Sequence, residues 1–359
     1  MTLAMPSKHQ KPNGTTANID HNETEIDTSR PTALYTPTGP RTHTLSIALP
    51  ASLIHNSKSK VLLRTQLAGS IARALAVFSV DEIVIFDDGD IDPSSGASSH
   101  PPNRNSTKCT AMTHPAHFLR HILSYLETPP FMRTRLFPMH ENLERAGTLP
   151  SLDIPSHLRG DEWCEFREGV TVGVDGEGTW VDCGFGEGRE RGVKGVEIPE
   201  GMRVTLGLGS EKEDDGKSAV AVSPAAPREE MGYYWGYQVR EAGSLSAVFT
   251  ECGFDGGYDL SVGTSERGEE VTKTVNNILQ DEARKEWQHL IIVFGGVKGL
   301  EDAAKNDQEL VRTGIGKGNV KELFDYWVNL LPGQGSRTIR TEEALWMGLM
   351  GTRRLIDER

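Results

Sequence analysis

Two short apolar runs with a helix-period segment between them constrain this chain more than any other feature. Thr44-Leu45-Ser46-Ile47-Ala48-Leu49-Pro50 alternates, turns apolar and is stopped by proline, and Glu82-Ile83-Val84-Ile85-Phe86 is a second run of strand-forming residues. Between them Leu63, Leu67, Ile71, Leu75 and Phe78 recur every three or four residues, the period of a helix. Strand, helix and strand in so short a span predict a βαβ unit, and hence a parallel sheet with both faces covered. A Ser/Pro/Asn-rich loop follows over Asp87–Thr113, then a helix over Pro115–Leu126. The α/β texture returns with strand Tyr233–Arg240, helix Ser244–Glu251, strand Tyr258–Val262, helix Val271–Leu279, strands His289–Phe294 and Tyr326–Leu331, and helix Arg340–Leu355.

Between these halves the texture differs. Glu165–Val174, Gly178–Cys183, Met202–Leu208 and Ser218–Val222 read as short strands separated by glycine-rich turns, a spacing that suits a small β-barrel of the five-stranded oligonucleotide-binding (OB) type. The expected organisation is a disordered tail over 1–42, the first part of an α/β domain over 43–155, an inserted barrel over 156–230 and the second part of the α/β domain over 231–359.

Charge and cysteine usage narrow the classes. The chain has 38 basic and 51 acidic side chains, a net of −13. By region the net is 0 over 1–44, +1 over 45–150, −9 over 151–230 and −5 over 231–359. The total argues against bulk electrostatic binding of nucleic acid, yet most of the excess belongs to the barrel, which leaves room for arginine contacts elsewhere. The longest clean apolar run, Leu290–Phe294, is far too short to span a membrane. The stretch from Ser7 to Thr28 is polar, with no apolar signal core, so an intracellular protein is expected. Cys109, Cys164, Cys183 and Cys252 form no C-x-x-C pair, consistent with a reducing compartment.

Several motifs fail on context. Gly184-Phe185-Gly186-Glu187-Gly188 sits between barrel strands, where a dinucleotide fingerprint must precede a helix. Gly216-Lys217-Ser218 has Glu211 where a P-loop requires glycine. His114, His117 and His121 share one helix face with no carboxylate or cysteine nearby, which favours a partly exposed polar face; no metal is expected. The loops after the late strands carry more. Gly263-Thr264-Ser265, Gly295-Gly296-Val297-Lys298-Gly299-Leu300-Glu301 and Pro332-Gly333-Gln334-Gly335-Ser336-Arg337-Thr338-Ile339-Arg340-Thr341-Glu342-Glu343-Ala344 all follow predicted strands. Open α/β sheets bind ligands beyond the carboxyl ends of their strands, and glycine there lets the backbone approach the ligand.

The string Gly335-Ser336-Arg337-Thr338-Ile339-Arg340-Thr341-Glu342-Glu343-Ala344, with the earlier Gly295-Gly296 and Gly299-Leu300-Glu301, resembles the cofactor loops of SPOUT (α/β-knot) RNA methyltransferases, and among them those of bacterial rRNA uridine-N3 enzymes. Residues 44–356 as a whole resemble the eukaryotic SPOUT group with an OB-like barrel inserted; Leu67–Ala74, Tyr234–Tyr237 and Tyr258–Gly268 add to the match. The resemblance implies a trefoil-knotted parallel sheet, S-adenosylmethionine as cofactor, an RNA substrate, with rRNA foremost, methylated at uridine N3, and a homodimer with its sites at the subunit interface. An rRNA substrate in turn implies the nucleus or nucleolus. The final helix supports a dimer independently, since Ala344, Leu345, Trp346, Met347, Leu349 and Met350 are apolar nearly all round.

On this basis Thr264, Gly295, Gly296, Gly333, Gln334, Gly335, Arg337, Thr338 and Ile339 are the expected cofactor-binding residues, acting largely through main chain. The bacterial loop sets its arginine directly after Gly-Pro, whereas Gly-Gln-Gly-Ser precedes Arg337 here. Arg133, Arg135, Arg267 and Arg340 are the candidates for catalysis or RNA positioning. The competing reading is a SPOUT-fold scaffold that binds RNA or protein with little catalysis; two intact glycine loops favour the enzyme.

Overall fold

A computed structural model describes residues 37, 39–55, 60–90, 107–211, 215–282, 284 and 286–358. Most of the expected tail and the 91–106 part of the polar loop lie outside these residues. Ordered contacts nevertheless begin before residue 43: Arg41 forms a two-pronged pair with Asp81, and its amide donates to the Arg228 carbonyl, so the last residues of the expected tail are docked.

The first half of the α/β domain holds β1 (Thr44–Pro50), α1 (Ser52–His55), α2 (Val61–Val77), β2 (Glu82–Phe86), α3 (Pro115–Glu127) and α4 (Arg133–Leu136). The barrel holds β3 (Phe166–Asp175), β4 (Gly178–Asp182), β5 (Arg191–Lys194), β6 (Arg203–Gly207) and β7 (Ser218–Val222). The second half holds β8 (Gln238–Ala242), α5 (Leu245–Thr250), β9 (Leu260–Glu270), α6 (Val271–Gln280), β10 (His289–Val293), α7 (Gly299–Asn306), α8 (Gln308–Arg312), β11 (Tyr326–Asn329), α9 (Thr341–Thr352) and α10 (Arg354–Asp357).

All six strands of the α/β domain run parallel in the order β11-β9-β10-β1-β2-β8. The alternation read in β1 and β2 is the alternation of the two core layers. Leu45, Ile47, Leu49, Ile83 and Ile85 pack with α2, α3, α6 and α9, while Ala48, Val84 and Phe86 pack with α5 and α7 on the other face. β1 is buried along its whole length because it has a strand on either side and a helical layer above and below.

β3 to β7 close into a barrel in the order β3-β4-β5-β7-β6, with β5 and β7 its one parallel pair, the arrangement of an OB-like barrel. β5 went unread because Arg191-Gly192-Val193-Lys194 has no apolar alternation of its own. The barrel is fastened to the sheet domain by a buried ion cluster. Arg203 of β6 meets Glu127 at the end of α3 at 2.6 Å and Glu168 of β3 at 2.5 Å, and Thr205 and the Trp235 indole also donate to Glu168. Burial alone would lower the Arg203 pKa, but the two carboxylates outweigh it and hold it above the ordinary value.

One expected strand is shorter than read. Tyr234, Trp235 and Tyr237 are buried, but pairing begins only at Gln238. Gly236 interrupts the run at φ +102°, and Glu127 fills the space where its side chain would project.

Candidate active site

β9 and β11 pair in two registers. Tyr326 and Trp327 lie opposite Val262 and Gly263, whereas Val328 and Asn329 lie opposite Glu269 and Glu270. Residues 264–268 therefore leave the ladder and loop out beyond the sheet edge. Beside them, β10 ends at Val293 and the chain turns through Gly295 and Gly296 into α7. After β11, a largely exposed loop runs from Leu331 to Arg340 before α9 begins.

These three segments are stitched together by hydrogen bonds. The Thr264 hydroxyl donates to the Val293 carbonyl at 3.1 Å, the Thr341 hydroxyl to the Gly295 carbonyl at 3.1 Å, and the Asn329 amide to the Glu266 carbonyl at 2.7 Å. Gly295 has no room for a side chain: a Cβ there would lie 2.7–2.9 Å from backbone atoms of Gly299 and Leu300. Gly348 is equally confined, since a Cβ would meet the Phe294 ring at 2.7 Å, and its absence lets α9 settle onto the end of β10.

The result is a cleft of about 660 Å³ at the carboxyl ends of β9, β10 and β11, within the range of small-molecule sites. It brings together Thr264, Gly295, Gly296, Gln334, Arg337, Thr338 and Ile339 with Arg267 and Arg340. Gly333 and Gly335 are not among its lining residues; both are exposed, with open space around their Cα atoms. Ser265, Lys298 and Glu301, which lie inside the loops read from the sequence, also line it, as do Lys317 and Asn329, which were not singled out. The strand ends that carry Lys298 and Glu301 did mark them, but Lys317 and Asn329 reach the cleft only through tertiary packing. Five basic side chains (Arg267, Lys298, Lys317, Arg337 and Arg340) and three acidic ones (Glu266, Glu301 and Glu342) line it, with Lys298 paired to Asp90 and Lys317 to Asp302 behind the lining.

Arg133 and Arg135 are elsewhere. Arg133 donates to the carbonyls of Thr128 and Leu126 at 2.8 and 2.9 Å and lies over the Tyr125 ring, closing the end of α3. Arg135 faces Asp182 of the barrel at 3.8 Å. Of the two candidates, Arg133 is held by the carbonyls at the end of α3, and Arg135 reaches toward the barrel.

Beneath Gly296 lies Asp88, 5% exposed, whose carboxylate accepts the Ser52 hydroxyl at 2.5 Å. A Cβ on Gly296 would come within 3.0 Å of both Asp88 Oδ2 and Ser52 Oγ, so this pair forms the floor of the glycine loop. Burial pushes the Asp88 pKa up to about 6, the hydrogen bond from Ser52 opposing the shift.

The histidines regroup. His117 and His121 of α3 meet His140, not His114, with one ring nitrogen from each lying within 4.8 Å of the others. Burial, together with nearby cationic partners, lowers His117 and His121 to about 4. His140 Nδ1 accepts the Asn142 amide N–H at 3.0 Å, and His121 Nδ1 faces the Asn142 side-chain NH₂ at 3.2 Å. These donors place the ring protons on Nε2. The three ring nitrogens stand close enough together to share a metal ion, with Asn142 positioned to orient two of the rings.

The fold is a parallel α/β sheet with a glycine-looped cleft at its strand ends and an OB-like barrel inserted in the chain. Comparison with known proteins is more specific. Residues 44–352 match the family model described as "Putative RNA methyltransferase". The chain is 42% identical over 316 residues to the human 28S rRNA (uridine-N(3))-methyltransferase, covering 86% of this chain and 77% of the human one. Its mouse counterpart is 42% identical with 76% covered, and the Drosophila melanogaster protein of the same name is 39% identical with 62% covered. The chain belongs to this RNA methyltransferase family and is a methyltransferase, which its use of a methyl donor follows from. No helix among the described residues is long and apolar enough to cross a membrane.

Proposed function

We propose that this protein methylates N3 of a uridine in large-subunit rRNA, with S-adenosylmethionine as the donor held in the cleft. The observation that carries the reading is the cleft itself: three parallel strands end in loops whose backbone is bared by Gly295 and Gly296 and ringed by five basic side chains. The names of the human, mouse and fly relatives support the choice of base and RNA. When bound, the cofactor supplies a methyl group on a sulfonium that leaves as a neutral thioether.

This chain's residues do the rest by position. Main-chain groups of Gly295, Gly296, Gln334, Thr338 and Ile339 hold the donor, while Thr264 acts one step back by fixing the end of β10 through Val293. Arg267, Arg337 and Arg340 meet the phosphates and orient the base. The target uridine leaves its stack to enter the cleft. The last strand and helix are read as threaded through the 264–268 excursion in a trefoil knot, the bulged register of β9 and β11 supporting that reading.

A homodimer fits the outer faces of α2 and α9. Leu345 and Leu349 are buried in the core, but Met350 is 69% exposed, Leu63 52% and Trp346 37%, an apolar face on one side of otherwise core-packed helices. An rRNA substrate implies the nucleus or nucleolus as its place of action, and no metal takes part in this reading.

Calorimetric titration with S-adenosylmethionine and mass-spectrometric mapping of rRNA from cells with and without the protein test the proposal together. Micromolar donor binding and loss of one 3-methyluridine are expected. Absence of heat at millimolar donor, or an unchanged rRNA map, refutes it.

A further inference from the structure

N3 of uridine carries a proton, and its lone pair is available for attack only once that proton leaves. A group that accepts it must stand at the cleft, and lysine and arginine in their charged forms have no acceptor. Three carboxylates line the cleft, and the structure separates them. Glu266 is exposed. Glu342 lies in the first turn of α9, 3.9 Å from Arg340 and 26% exposed. Glu301 is sheltered, its side chain 12% exposed.

Glu301 is also held in place. It sits in the first turn of α7, where the helix dipole favours the anion. Its Oε1 accepts the Ser265 hydroxyl at 3.1 Å and lies 3.6 Å from the Arg267 guanidinium. Its Oε2 reaches back over Gly299, into the space that a side chain at that position would fill. Gly299 has φ +78°, so glycine serves there both for the turn and for the room it leaves the carboxylate. Ser265 and Arg267 belong to the 264–268 excursion of β9, and Glu301 belongs to the segment after β10, so the trio exists only when those two strand ends are joined.

Resting on the uridine-N3 reading above, we propose that Glu301 is the general base of the reaction, oriented by Ser265 and paired with Arg267. Its carboxylate takes the N3 proton. The electron pair left on nitrogen forms the new N–C bond to the methyl carbon, and the S–C bonding pair departs with sulfur as the thioether. Arg267, at 67% exposure, is at the mouth of the cleft beside the carboxylate and stabilises the uridine anion through a carbonyl oxygen next to N3. Glu301 then releases its proton to water at that open side.

The test compares wild type with Glu301→Gln, which keeps the shape and removes the basic oxygen. Four quantities are read on the full-length protein: donor affinity by calorimetry, RNA affinity by filter binding, kcat against pH, and kcat on an RNA whose target uridine is replaced by 5-fluorouridine. Fluorine makes the N3 proton more acidic and so lessens the need for a base. Donor and RNA affinities within about twofold of wild type, a kcat roughly 10²–10³-fold lower at neutral pH, a flattened acid limb and at least about tenfold relative rescue by 5-fluorouridine are expected. Glu301→Asp should retain part of the activity. A tenfold or greater loss of donor affinity with kcat intact at saturation would make Glu301 a cofactor contact and overturn the proposal. An equal defect on uridine and 5-fluorouridine would overturn it as well. Failure of the underlying reading shows separately: the wild-type product would then carry its methyl group at an atom other than N3.

Discussion

Replacing Asp88 by asparagine should shift stability in the variant's favour as pH rises towards neutral, although it removes a buried, hydrogen-bonded carboxylate. Asp88 is 5% exposed, and its pKa is pushed up to about 6 by burial from a reference of 3.8. A raised acid pKa means the folded chain holds the proton more tightly than the unfolded one. The associated stability is fully present below about pH 4 and is lost as pH rises through about 6. At 1.36 kcal/mol per pKa unit, the ionised carboxylate costs about 3 kcal/mol at pH 7.5. Asparagine has no such titration, and its carbonyl oxygen still accepts the Ser52 hydroxyl that Asp88 accepts at 2.5 Å. The stability difference between Asp88→Asn and wild type should therefore grow in the variant's favour by about 1.5 kcal/mol between pH 5 and pH 7.5. Urea unfolding of both proteins at matched pH measures it, because every other titrating group cancels in the difference. A difference that stays flat across this range would refute the raised pKa. A difference that grows in favour of the wild type would show a carboxylate stabilised by its partners. A stabilised variant with weakened donor binding would further show that the charge under Gly296 is kept for function at a cost in stability.

Two further perturbations probe other parts of the site. Gly295→Ala places a Cβ 2.7–2.9 Å from backbone that cannot yield, so donor affinity should fall at least about tenfold, whereas Gly335→Ala enters open space and should leave it near wild type; calorimetry of the two side by side checks the contrast. Arg203→Ala strands Glu127 and Glu168, with side chains 9% and 3% exposed, and should cost about 3 kcal/mol or more in urea unfolding, with faster proteolysis between barrel and sheet domain.

Much of this architecture was legible because burial imposes a period. Leu45, Ile47 and Leu49 alternate with Ser46 and Ala48 since the two faces of β1 meet different core layers, and α2 shows its contacts every three or four residues. The loops that line the cleft were legible because glycine followed strand ends. What stayed hidden depends on contacts distant in sequence. The β9 excursion is defined by its register with β11, and nothing local in Thr264–Gly268 announces it. His140 joins His117 and His121 only because the chain returns through Asn142, which hydrogen-bonds to Thr110 and to two of the rings. Arg133 looked like a free cation, but its use is decided by the carbonyls at the end of α3. Gly333 and Gly335 lie beside the lining residue Gln334 rather than in the lining itself, because the loop that carries them is exposed.

The pairing of β1 with β10 has a consequence for how the molecule is made. Thr44 and its partner His289 stand 245 residues apart, so one side of β1 has no neighbour until the last third of the chain has been synthesised. β1 and β2 can pair early, and the barrel between them and β8 draws all its strands from one continuous stretch of sequence. During that interval the apolar, two-faced edge of β1 is open to other chains. The cleft draws most of its lining from segments after β8 and the rest from Leu53 and Leu67 of the first half, so it is complete only after the longest-range strand pair has closed.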